Sequence, residues 1–164
     1  MNVQKLKVRD VLALFCSCLA ELKRRGVTRS TNSPVADYAE LLFQRAFGWT
    51  LCPKSTKGYD ATDSAGKKFE VKGRRLTSHN ASRQLSSIRG LDDKHFHYLA
   101  GVLFDSDFNV QRACLIPRKQ VKALSKYSKH TNSWILHLRE SVWDRPGVID
   151  VTKALSKAQR NHTE

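Results

Sequence analysis

No stretch of this 164-residue sequence approaches transmembrane length and no internal repeat runs through it, so no membrane partner is expected. The four cysteines, Cys16, Cys18, Cys52 and Cys114, lack the paired spacing of a zinc site, and none stands at ligand spacing from a histidine. They read as small buried apolar residues of a reducing, cytoplasmic compartment. Asp105 and Asp107 have neither the glycine nor the distal glutamate of a calcium loop, and read as a turn. Acidic residues are scarce: 15 against 29 Lys and Arg, a net charge of +14 spread from Lys5 to Arg160. A positive field over a whole domain attracts polyanions, which makes nucleic acid the expected partner.

What is present suffices for one core. With 40% hydrophobic residues, the chain reads as a single domain over 1–164: an N-terminal helical segment in 1–30, a core in 33–124, and a last helix with a frayed polar tail in 153–164. Lys5, Lys7 and the run over residues 11–20 superficially resemble a secretory signal. However, Val8, Leu12, Phe15, Leu19 and Leu22 recur at steps of four and three, predicting an amphipathic helix that ends at Gly26. Ser33 and Pro34 start a second helix and Gly48 stops it. Its apolar stripe is Val35, Tyr38, Ala39, Leu42 and Ala46, with Glu40 at the margin beside Phe43 and Phe47. A first strand is expected over 49–51, buried strands over 96–104 and 110–116, and a short helix from Pro117 to Leu124. A late strand is expected at Trp134, Leu136 and Leu138, and Thr152 is expected to cap the last helix. Residues 74–93 are polar, dotted with arginine and aperiodic. The pattern is an α/β sandwich, a central mixed β-sheet flanked by α-helices.

Residues 58–63 and 67–73 read as a hairpin closed by Ser64, Ala65 and Gly66. If Asp63 pairs with Lys67, Tyr59 faces Val71 and Ala61 faces Phe69 on the buried side. On the other side Asp60 faces Glu70 and Thr62 faces Lys68. Phosphodiester hydrolysis needs neutralised phosphoryl oxygens and a deprotonated water, and a divalent ion held by carboxylates supplies both. Asp60, Glu70 and the Val71 carbonyl make such a seat for magnesium. Lys72 shares a strand face with Glu70, placed to act on the attacking water or the developing charge. Glu21-Leu22-Lys23 repeats the spacing on the first helix, but has no opposing aspartate.

Gly58-Tyr59-Asp60 followed by Lys68-Phe69-Glu70-Val71-Lys72-Gly73-Arg74 resembles the signature of the PD-(D/E)XK nucleases, and within them small restriction-endonuclease-like proteins. Tyr59 stands where the usual proline precedes the aspartate. The resemblance extends over most of 33–124, with Glu40 in Tyr38-Ala39-Glu40-Leu41-Leu42 matching the glutamate of an early helix, and Cys114-Leu115-Ile116-Pro117-Arg118 matching a strand and helix. It implies a restriction-endonuclease-like fold, Mg2+-dependent cleavage of double-stranded DNA with Mn2+ as a substitute, and a homodimer. By match of position Asp60 and Glu70 become metal ligands, Lys72 the catalytic lysine, and Glu40 an auxiliary ligand acting through water. Gln84 falls where some relatives place a polar active-site residue.

Arg74, Arg75, Arg83 and Arg89 follow the active-site strand and are candidates for gripping phosphates. His79 and Asn80 are candidates for reaching base edges. His95 and His97 alternate with Phe96 and Tyr98 and have no third ligand, which suggests a wet strand face rather than a metal site. The leading expectation is a sequence-specific endonuclease of restriction type, with a cognate DNA methyltransferase encoded separately. Repair, recombination (junction-resolving) or homing nucleases on the same scaffold are the close alternatives; a non-catalytic DNA-binding module and an RNA-directed protein are the distant ones.

Overall fold

The computed structural model describes residues 2–30, 32–54, 56 and 58–161. Helices α1 (Val8–Arg24) and α2 (Val35–Phe47) come first, then strands β1 (Thr50–Leu51), β2 (Ala61–Thr62) and β3 (Lys68–Arg75). Strands β4 (Tyr98–Phe104) and β5 (Val110–Pro117) lead into α3 (Arg118–Leu124). The short strands β6 (Lys126–Ser128) and β7 (Ser133–Ile135) pair with each other, and β8 (Ile149–Asp150) precedes α4 (Thr152–Arg160). Helix α2 begins after Pro34 and ends at Gly48, whose φ of +68° is the left-handed conformation that closes a helix readily only with glycine.

The main sheet has the order β1-β2-β3-β4-β5-β8. Its neighbours are antiparallel except β3 and β4, which run parallel from Phe69↔Tyr98 to Arg75↔Phe104. The expectation of a central mixed sheet flanked by helices is met. Alternation along β3 and β4 feeds two cores. Phe69, Val71, Ala100, Val102 and Phe104 pack with Ala39, Leu42 and Phe43 of α2 and Leu155 of α4. Leu99, Leu103, Cys114 and Ile116 face the opposite side, packing with Val121 of α3 and with Leu136 and Leu138. At Gly73 a side chain would press within 3.0 Å of the Val35 carbonyl, so glycine lets α2 lie close on β3.

The expected amphipathic first helix forms, with none of its residues buried and Val8, Leu12 and Phe15 exposed; three other expectations are corrected. Both sheet faces are already covered, by α2 with α4 and by α3 with its neighbours, so no sheet face remains for the stripe. Cys16 and Cys18 are exposed with it and Cys52 is half-buried; Cys114 is buried, and burial pushes its thiol up to about 12. Thr152 is the first helical residue rather than the cap: its hydroxyl bonds the Ala113 backbone, and its amide donates to Asp150 Oδ1 at 2.9 Å. The end of the expected frayed tail, residues 162–164, lies outside the described residues.

The third correction concerns residues 76–97, the crossover that a parallel pair requires. Leu85, Ile88 and Leu91 in it are at most 1% exposed. Their spacing of three fits neither a strand nor a sustained helix, which hid them among polar residues. The segment's middle is extended, where Leu85 donates to the Leu136 carbonyl at 2.9 Å and Ile88 and Trp134 exchange backbone bonds of 3.0 and 2.8 Å, and it closes in a short 3-10 helix over Leu91–Asp93. Among the described residues no helix is long and apolar enough to cross a membrane. Ile88→Ala is expected to cost about 2–5 kcal/mol of stability, the range for truncating a buried aliphatic side chain. Urea unfolding measures it, and a midpoint equal to that of the unaltered protein would contradict a packed crossover.

Candidate active site

Phe69 and Val71 turn into the core with α2, so alternation sends Glu70 and Lys72 to the other face of β3. Their side chains are 14% and 17% exposed and form an ion pair, Glu70 Oε1 to Lys72 Nζ at 2.6 Å. The β2–β3 hairpin has the expected register, Ala61↔Phe69 and Thr62↔Lys68, with Gly66 at φ +76° in its loop. The Asp60 amide still donates to the Phe69 carbonyl at 2.8 Å. There the ladder ends, and the next amide on that edge of β3, Val71 N–H, donates to Asp60 Oδ2 at 2.7 Å.

The amide and carbonyl of one strand residue point to the same edge, so the Val71 carbonyl also faces the Asp60 side, past the end of β2. Asp60 is therefore Glu70's neighbour without being its ladder partner. Tyr59 does not face Val71 as expected. It packs against the opposite core, and the Lys68 ammonium stands 4.7 Å from its ring centroid. The chain peels away from β3 at Asp60 because a carboxylate, not a peptide group, takes the Val71 amide.

Burial, and after it the charge of Glu70, raise the Asp60 pKa above 3.8; the Val71 amide, Lys72 and Arg29 act the other way. Glu70 and Lys72 line an open cleft of about 460 Å3 together with Gly58, Ser86, Ser87 and Arg89. Gly58 has φ +86°, and a Cβ there would run into the His95 side chain at 2.4 Å. Its lack of a side chain keeps this rim in place.

Glu40 is 8% exposed, but it faces Arg29, with which it is ion-paired, rather than the carboxylate pair. Among the described residues no three His, Cys, Asp or Glu side chains gather as a metal-ligand group. The guanidinium of Arg29 balances the Glu40 charge. Arg29 also donates from Nη1 to the Cys52 carbonyl at 2.7 Å, and the Cys52 amide donates to the Asp60 carbonyl at 2.8 Å. A chain of contacts thus runs from α2 through Arg29 to the backbone of Asp60. Sequence reasoning missed Arg29 because it sits in a polar break with no periodicity. Asp37 braces that break, accepting from the Arg29 and Ser30 amides at 2.8 and 3.1 Å and from Lys54 Nζ at 2.7 Å.

The residues proposed for DNA contact are dispersed. Arg89 lines the cleft. Arg74 donates to the Ser82 carbonyl and to Asn80 Oδ1, both at 3.0 Å, and so holds the exposed turn carrying His79 and Asn80. Arg75 leaves β3 on the other side, bonded to the Ser106 carbonyl and 4.8 Å from the Phe108 ring centroid. Arg83 is ion-paired with Glu140 at 2.5 Å, and Gln84 lines a separate cavity. His97 accepts from the Lys68 amide at 3.0 Å and His95 stands 3.5 Å from Asp93, both on the exposed side. Glu21, in the repeated Glu-x-Lys spacing, is held by Arg24 and Arg25 at 2.7 and 2.8 Å. Neither a scan against protein-family models nor a search of the curated proteins finds a match to this chain.

A carboxylate whose pKa is raised by the fold adds stability while protonated, and that contribution is lost as pH rises through the raised value. Asp60→Asn keeps an acceptor for the Val71 amide and removes the charge beside Glu70. In chelator-treated protein it is expected to raise the urea midpoint at pH 7 and to add nothing below the ordinary aspartate pKa of about 3.9. Midpoints for both proteins across pH 3–8 test this; a gain independent of pH would show that carboxylate repulsion is not its source.

Proposed function

We propose that this protein is a divalent-metal-dependent endonuclease of double-stranded DNA, built on a restriction-endonuclease-like fold of the PD-(D/E)XK type. The observation that carries the reading is the break in the β2–β3 ladder. It sets Asp60 beside Glu70, where burial and the Glu70 charge raise its pKa, and Glu70 and Lys72 line an open cleft. Two neighbouring carboxylates whose repulsion a cation would relieve are a seat for one. The donor set fits magnesium or manganese, which take one or two carboxylates and further oxygens, rather than zinc, which prefers nitrogen and sulfur. Asp60, Glu70 and the Val71 carbonyl would hold the ion, and when bound it supplies Lewis-acid charge neutralisation and a water of lowered pKa.

The remaining work falls to the chain's own groups. Lys72, paired with Glu70 at 2.6 Å, carries an ammonium to the cleft, where it orients the attacking water or balances charge growing on the phosphate. Arg89, on the facing wall, offers a planar fork to a phosphate beside the scissile bond. Arg29 holds the Cys52–Asp60 backbone against α2 and so positions the carboxylate without touching the substrate. The net charge of +14 draws the duplex to the surface.

Asp60→Ala and Glu70→Ala are expected to abolish magnesium-supported cleavage of plasmid DNA and to remove any rise in melting temperature on adding Mg2+ or Mn2+. Lys72→Ala is expected to bind DNA in calcium nearly as the unaltered protein does, yet to cut about a hundred- to ten-thousandfold more slowly. Lys23→Ala, in the repeated spacing on α1, is the control and should cut normally. Single-turnover cleavage with parallel binding curves decides; a Lys72 defect lying wholly in affinity would refute its chemical role.

A further inference from the structure

Just beyond β3 the chain makes a tight turn over residues 77–82. Thr77 and Asn80 exchange backbone bonds of 3.0 and 3.1 Å, which leaves Ser78 and His79 as its tip. The Asn80 amide also donates to Thr77 Oγ1 at 3.1 Å, and the Ser82 amide donates to Asn80 Oδ1 at 3.2 Å. Arg74 clamps the turn from β3, donating from Nη2 to Asn80 Oδ1 and from Nε to the Ser82 carbonyl, both at 3.0 Å. Residues 78–82 are all exposed. Among the described residues, no hydrogen bond or ion pair holds the side chain of Ser78 or His79. An exposed loop tip with few anchors is ordinarily mobile, but here the polar groups of Asn80 and Arg74 are turned to holding one conformation.

The place of this turn is set by alternation along β3. Gly73 faces α2, where a side chain would press on the Val35 carbonyl, so Arg74 shares the opposite face with Glu70 and Lys72. The turn that Arg74 clamps therefore stands on the side of the sheet that carries the candidate site, next along the strand from Lys72. From Lys72 to Thr77 is at most about 17 Å of extended chain, and successive base pairs rise by about 3.4 Å, so the turn begins within about five base pairs of a phosphate held at Lys72. Between Glu70 and Asp92 the chain carries five cations, Lys72, Arg74, Arg75, Arg83 and Arg89, and no acid. The segment around the tip thus attracts a polyanion.

Cations meet phosphates, which position a protein on a duplex but carry no sequence information. The tip offers a different chemistry: an imidazole, whose ring nitrogens can donate and accept, and a hydroxyl that does both. Such groups match the edges of bases in the major groove, where all four base pairs differ and where a width of about 12 Å admits a hairpin. Because the turn is ordered before DNA arrives, its contacts are not offset by the entropy of ordering a loop. We infer that this turn reads sequence. His79 and Ser78 contact base edges in the major groove beside the cut, and Arg74 and Asn80 are positioning residues that hold the tip there. The inference rests on the nuclease reading and names the residues that give the same site its specificity.

The test separates preference from affinity. Duplexes with a randomised stretch are bound in calcium without magnesium, the bound fraction is sequenced, and affinity for the unselected pool is followed over a range of salt. The unaltered protein should enrich a motif. His79→Ala should bind the unselected pool with an unchanged salt slope, yet lose about fivefold to a hundredfold of discrimination at one or more positions of that motif. Asn80→Ala should relax the same positions. Asn80→Asp, which keeps the acceptor for Arg74 and for the Ser82 amide, should restore them; failure to do so would show that Asn80 meets the bases itself and overturn its positioning role. Lys157→Ala, on α4 across the sheet, should leave the motif intact. A motif indifferent to His79→Ala, or a fall in salt slope with the motif unchanged, would overturn the proposal, as would an unaltered protein that enriches no motif. Cleavage that needs Asp60 together with any of those outcomes would sink this inference alone; a motif that depends on His79 in a protein that never cuts would sink the nuclease reading alone.

Discussion

The hydrogen bond from the Val71 amide to the Asp60 carboxylate, at 2.7 Å, is the contact from which the candidate site follows. A buried strand amide must find an acceptor, and here a side chain supplies it where the antiparallel ladder would have used a carbonyl. One substitution of acceptor has three results. The hairpin opens at its base, the Val71 carbonyl goes without a ladder partner, and a carboxylate is fixed beside Glu70, where burial and the Glu70 charge disfavour its ionised form. The fold tolerates that discomfort through Lys72 and Arg29, both of which act to lower the Asp60 pKa. Charge balance at this point is thus spread over three segments, the loop before α2, the hairpin and the active strand.

The parallel alignment of β3 and β4 shapes the rest of the cleft. An antiparallel neighbour could have followed through a tight turn, but a parallel one requires the chain to return to the starting edge. The return segment does so on the side away from α2, burying Leu85, Ile88 and Leu91. Between those anchors it presents Ser86, Ser87 and Arg89 to Glu70 and Lys72. Because the same segment pairs with Trp134 and Leu136, it also ties the β6–β7 hairpin to the cleft wall.

Much of this was legible in the residues. The alternation of Phe69 and Val71 against Glu70 and Lys72 fixes which side chains share a face, and the Ser64-Ala65-Gly66 turn fixes the register, because a slip by one residue would expose the apolar set. The limits of α2, the two central strands and α3 follow from glycine, proline and unbroken apolar runs. Other features had no local signal. Nothing in Val8, Leu12 and Phe15 states whether a sheet face remains free to receive them. Nothing near Arg29 states that it will meet Glu40, eleven residues away, and a carbonyl of the next loop.

Local pattern therefore determined the hairpin, its register, the side of the strand on which Glu70 and Lys72 stand and the mixed α/β class, since these depend on periodicity and turn chemistry within a few residues. Tertiary structure alone decided that Asp60 caps a broken ladder instead of facing Glu70 across an intact one. It also decided that Glu40 is neutralised by Arg29 and that a stretch read as loop is core. The physical reason is common to all three. Each depends on which groups from different segments meet once those segments are packed together, and no pattern within a few residues carries that.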